Sequence, residues 1–247
     1  MMFAALGAPF QRRVACLGRT SAKRQEQVMP DTIELNSISH HFDTISERIE
    51  LFHGLSYTIG ADETLAIIGP SGAGKSSLLS IAAGLEIPAG GDVRFTIDGV
   101  AVDALTMRAN SGFIFQQFHL MPELDAIGNL ALPLRLKGNR HAFDIAATWL
   151  DKVGLKDRAR HRPHQLSGGE QQRIAVARAF VTGPRFIFAD EPTGNLDVHT
   201  SESVAALMFD CARETRCGLV IVTHSHAMAK RADTVLLLDS GQLKAAA

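Results

Sequence analysis

Apolar and polar positions along this chain fall into blocks of two periods. Residues 32–38, 55–59 and 64–68 carry strand-like patterns, with Gly60, Ala61 and Asp62 forming the turn before the last of them. Thr64, Leu65, Ala66, Ile67 and Ile68 read as a strand buried on both faces. That strand runs straight into a Gly-rich stretch, and residues 77–83 then have helical composition. Another strand is predicted to end at Phe115. From Ala126 to Val153 the period is helical, with breaks expected at Pro133 and Gly138. Beyond it the pattern predicts a helix from Ser167 to about Val181 and a buried strand from Phe186 to Ala189. A helix from about Thr200 to Thr215 and a strand from Leu219 to Thr223 follow. Strands alternating with helices predict an α/β domain with a mainly parallel sheet.

Composition narrows the class. The chain has 247 residues, 46% hydrophobic and 21% charged, enough for one large globular domain or a domain with a lobe, and too apolar for disorder as its main state. A net charge of −1 gives no electrostatic reason to expect nucleic acid as partner. Residues 1–30 hold Arg12, Arg13, Arg19, Lys23 and Arg24 against Glu26, which leaves the remainder mildly acidic. Residues 1–30 are expected to be a disordered tail or the product of an upstream start, because Met29 directly precedes the first strand; a transit peptide is the alternative. Cys16, Cys211 and Cys217 form no CxxC pair and suit a reducing compartment as packing residues. No apolar run is long enough to span a bilayer, so a membrane role has to come through a partner.

The chemistry lies in three segments. Gly69, Pro70, Ser71, Gly72, Ala73, Gly74, Lys75 and Ser76 satisfy GxxxxGK[ST] between a strand and a helix, the context in which backbone N–H groups and a helix N-terminus hold phosphate. Lys75 reaches the β/γ-phosphates there, and Ser76 can ligate Mg²⁺. Phe186 to Ala189 ends in Asp190 and Glu191, so a buried strand delivers two carboxylates to its C-terminal edge: Asp190 for the metal, Glu191 to orient or deprotonate water. Ser167 is an N-cap candidate, and Gly168 and Gly169 expose N–H groups at a helix start, a second anion site. Two phosphate cradles with one acid pair suggest that two copies share each nucleotide. His161 and His164 sit three apart without a third ligand, so no zinc site is expected.

With Leu166, Ser167, Gly168, Gly169 and Glu170 as its LSGGE signature, the sequence resembles an ABC-type ATPase subunit from about residue 32 to 244. The resemblance implies a P-loop NTPase fold with an N-terminal antiparallel β subdomain and a helical lobe inserted at about 117–165, all within an ATPase domain spanning 31–247. It implies ATP and Mg²⁺ as cofactors, Gly69 to Ser76 as Walker A with Ser77 also binding the nucleotide, and Asp190 with Glu191 as Walker B. Gln116 corresponds to the glutamine that senses Mg²⁺ and the permease, Asn195 to Asp197 resemble the D-loop, and His224 corresponds to the switch histidine. Phe42 is the candidate for stacking on adenine, with His40 or His41 as competitors. Glu191 to Asp197 and Phe113 to Phe118 look like the lipoprotein-releasing, macrolide-export and cell-division group. That resemblance implies a separate subunit in a head-to-tail dimer, driving membrane permease subunits from the cytoplasmic face; the alternative is an ATPase that signals through a membrane partner.

Overall fold

The computed structural model describes residues 30–43 and 47–246, so the expectation for the N-terminal tail lies outside the described residues. Two sheets enclose one helix. The first is antiparallel, in order β2-β1-β4-β5, from β1 (Thr32–Asp43), β2 (Arg48–Gly60), β4 (Gly90–Ile97) and β5 (Val100–Val102). Simple alternation after Ile33 and Leu35 would bring Ser37 inward; instead Ser37 takes φ 51°, the register shifts, and Ile38 and His40 are buried. Gly91 lies under this bulge, where a Cβ would overlap the carbonyls of Asn36 and Ser37.

The second sheet has order β10-β9-β3-β8-β7-β6. Its members are β3 (Thr64–Ile68), β6 (Ser111–Phe115), β7 (Phe186–Asp190), β8 (Gly218–Val222), β9 (Thr234–Asp239) and β10 (Gln242–Ala245). All its pairings are parallel except β9 with β10. The central strands are apolar on both faces because both are covered. Phe186, Phe188, Val220 and Val222 face α1 (Lys75–Ala82) and the antiparallel sheet. Ile187, Ala189, Leu219 and Ile221 pack against α5 (Gly168–Phe180) and α6 (Val198–Thr215). Arg185 fastens the two sheets at the other end, with Nη2 donating to both Asp98 carboxylate oxygens at 2.8 Å and Nη1 3.4 Å from Asp31. Cys211 and Cys217 are buried and free, and burial raises both thiols, Cys211 to about 11.

The lobe contains α3 (Ala126–Leu136) and α4 (Ala142–Lys152). Contrary to the sequence expectation, Pro133 does not break a helix: it lies inside α3, and only Gly138, at φ 75°, separates α3 from α4. A proline in a helix interior costs about 3 kcal/mol, whereas Leu130 and Leu134 are buried and contribute about 1.5–3 kcal/mol each. Packing wins over propensity. The lobe core runs past residue 165 through Leu166, Ile174, Ala177 and Val181. Sequence reading also missed β4, β5 and α2 (Ala104–Ala109), whose short, half-exposed segments carry little periodicity.

Candidate functional site

Strands β3, β8, β7 and β6 lie side by side and parallel, so their C-terminal ends share one edge. That edge collects the phosphate loop after Ile68, Asp190 and Glu191, His224 and Gln116. Gly69 opens the loop where a Cβ would overlap the Leu238 carbonyl, so no larger residue fits. Lys75, first in α1, folds its Nζ across the loop and donates to Gly69 O at 3.0 Å and Pro70 O at 2.9 Å. A cavity of about 750 Å³ opens here, walled by Leu51 and Phe52 on one side and by Pro70, Ser71, Gly72 and Ala73 on the other.

Ser76 Oγ donates to Asp190 Oδ1 at 3.0 Å across the β3–β7 distance. Burial pushes the Asp190 carboxyl above its ordinary value, against the Ser76 hydrogen bond and Lys75, which pull it down. Glu191 is held by three donors. His224 Nδ1 is 2.9 Å from its Oε1, and Thr223 Oγ1 at 3.1 Å and His224 N at 3.3 Å donate to its Oε2. Glu191 has φ 43°, a left-handed conformation that L-residues rarely hold unless the surroundings enforce it. Gln116 follows Phe115, the residue paired with Asp190, and its side chain turns to the next loop. Its Nε2 donates to Asn195 Oδ1 at 3.0 Å, and Asn195 Nδ2 returns a bond to Gln116 O at 3.1 Å.

The helix start at Ser167, expected from the sequence to be a second anion site, is elsewhere on the surface. Ser167 caps α5 in a reciprocal capping box: its Oγ accepts from Glu170 N at 3.3 Å, while Glu170 Oε2 accepts from Ser167 N at 2.8 Å. Glu170 Oε1 takes Arg158 Nε at 2.9 Å. A cavity of about 340 Å³ beside this cap is lined by Ser167, Gly168, Gly169, Asn195 and Asp197 and shares no residue with the loop cavity. Phe42 is 46% exposed at the end of β1, edge-on to His40 at 5.2 Å. It does not line the loop cavity, although its cross-strand partner Ile49 does. His40 is buried and turned toward Glu86, 2.9 Å away. Sequence reading missed Thr223 as a donor to Glu191 and Gln172 behind the acidic turn; a strand-end Thr and a helical Gln carry no signal of their own.

The pattern of the ABC transporter family matches residues 52–194. This chain belongs to the ABC transporter family. The ABC cassette is 42% identical over 207 residues to the lipoprotein-releasing system ATP-binding protein LolD of Coxiella burnetii, covering 80% of this chain and 88% of that one. It is 44% identical to the protein of that name from Koribacter versatilis (81% and 93% covered) and 38% identical to that from Hyphomonas neptunium (87% and 98%). A dimeric ATP-binding cassette solved in a post-hydrolysis state with ADP and Pi superposes with TM-score 0.75 at 33% identity, over 86% of this chain and 96% of that one. The cassette is an ATP-hydrolysing subunit with the P-loop fold that its sequence resembled.

Proposed function

We propose that this ATPase powers a lipoprotein-release or related extraction machine. Two copies close head-to-tail on two ATP molecules and pull on separate permease subunits at the inner face of the cell membrane. The observation that carries this reading is the split site. Lys75, Ser76, Asp190 and Glu191 gather at one sheet edge, while Ser167 and Gly168 line a separate cavity, which supports a site completed by the signature of a second copy. The lipoprotein-releasing relatives suggest the cargo class, and the dimeric cassette suggests the assembly. Among the described residues no helix is long and apolar enough to cross a membrane.

Ser76 Oγ and Asp190 Oδ1 are hard oxygen donors 3.0 Å apart, a set that fits Mg²⁺ held by one carboxylate, a hydroxyl and substrate oxygens. Gln116 adds an amide oxygen on the neighbouring strand end. Bound Mg²⁺ supplies neutralisation of phosphate charge. Lys75 leaves the Gly69 and Pro70 carbonyls to meet the β/γ-phosphates, and the Gly69 to Ser77 backbone wraps them. Glu191 orients and deprotonates the attacking water, and His224, already bonded to Glu191, faces the γ-phosphate. Phe42 lies outside the loop cavity but pairs across the strands with Ile49, which lines it, and from there offers a ring for adenine. Gly169 and Glu170 complete the partner's signature with Ser167 and Gly168.

Glu191→Gln keeps the shape and removes the base, so ATP binds without turnover and the closed dimer accumulates by linkage. Light scattering with and without Mg-ATP should show an ATP-dependent dimer that disappears when Ser167→Arg is added. A monomer with ATP demonstrably bound contradicts head-to-tail closure.

A further inference from the structure

Gln172 lies on α5, the helix that begins at the signature, and its side chain is fully buried. Its Nε2 donates to Pro192 O at 2.5 Å and approaches Phe115 O at 3.4 Å. Pro192 follows Glu191, and Phe115 precedes Gln116. One amide therefore touches the backbone next to the acidic turn and next to the glutamine of the neighbouring strand end. Gln172 Oε1 has no partner among the described residues. If packing alone had set this position, a methionine or leucine would fill it without leaving a buried acceptor unpaired. The donor end is the part of the amide that the fold uses. Pro192 is itself buried, so its carbonyl has no water to turn to. The turn that this bond pins carries Glu191 at φ 43° and closes through Gly194 N donating to Glu191 O at 3.0 Å.

We propose that Gln172 is a positioning residue for hydrolysis, whose buried amide sets the Glu191 turn in register with the signature helix. A displacement of α5, as would accompany arrival of a second copy at Ser167, moves Gln172 and with it the backbone behind the general base. The inference rests on the reading of Glu191 as that base.

The test is steady-state ATP hydrolysis by the purified full chain with Mg-ATP, together with its thermal unfolding. Gln172→Met keeps length and burial and removes the donor, so kcat should fall at least tenfold with KM for ATP within twofold of the parent. Added to Glu191→Gln, the same change should cause no further loss, because it acts through Glu191. Wild-type kcat in Gln172→Met overturns the proposal, and so does a parallel loss of kcat, ATP affinity and Tm, which marks general loosening. A further tenfold loss in the double variant also overturns it. If Gln172→Met does not fold, Gln172→Asn, which keeps the donor on a shorter arm, decides: reduced kcat at constant KM supports the role, and parental kcat refutes it. Glu191→Gln alone separates the two readings, since normal turnover there removes the base itself, whereas an inactive Glu191→Gln beside a normal Gln172→Met removes only the positioning role.

Discussion

Glu170→Gln takes one charge from the cap of the signature helix while keeping the reach of the side chain. In the parent, Ser167 N, Arg158 and the Ser167 hydroxyl all favour the ionised form, and together they hold the Glu170 carboxyl down from 4.5 to about 2. A shift of that size is worth about 3 kcal/mol by linkage. Arg158 is half exposed, and solvent screening of such a pair reduces the realistic figure to about 1–2 kcal/mol. Gln still accepts from Ser167 N, so part of the cap survives and the net loss should be about 1 kcal/mol, lowering Tm by about 2–4 °C in a chain of this size. The sign of the pH dependence follows from the depressed value. The folded-state pKa lies below the unfolded one, so the carboxylate's contribution is complete above about pH 4.5 and fades as pH falls toward 2. Urea unfolding of both proteins at pH 7 and near pH 3 checks this: the gap should be full at pH 7 and well under half as large near pH 3. A gap of equal size at both pH values, or none at pH 7, would refute the account of this cap.

Lys75→Ala removes the cation of the phosphate loop, where each charge-assisted hydrogen bond is worth about 1.5–3 kcal/mol, so ATP affinity should fall about 10- to 100-fold or more; unchanged affinity by calorimetry would show that the loop is not the site. Gly112→Ala puts a Cβ onto the Ala179 carbonyl and within 2.6 Å of Ile187 Cδ1. Such overpacking costs about 1–3 kcal/mol, and a melting temperature within a degree of the parent would show that β6 and α5 have room to separate.

What was readable in the sequence was what is local in the chain. The phosphate loop needs glycines at fixed offsets between one strand and one helix, and the acidic pair needs one apolar strand before it, so both could be placed without knowing the fold. The parallel sheet followed from the continuous apolar runs of β3, β7 and β8. Pro133 misled because helix propensity is local whereas the burial of Leu130 and Leu134 against α5 is not. Ser37 hides a bulge whose only sequence sign is a break in alternation. Gln172 was illegible for the same reason as Thr223: each acquires its role from a partner 20 or 32 residues away in sequence.

Helix α5 serves two hydrophobic cores at once. Val176, Ala179 and Phe180 pack toward the parallel sheet and α6, while Ile174 and Ala177 pack toward α3 and α4. The lobe is therefore not a removable part. A chimera exchanging residues 117–165 for the equivalent stretch of another cassette would import one half of a fitted joint and leave the other half behind. The natural seam for recombination runs lengthwise along the axis of α5, where no crossover can cut. Lobe and sheet have to diversify together, each change on one side of the helix constrained by what the opposite side already touches.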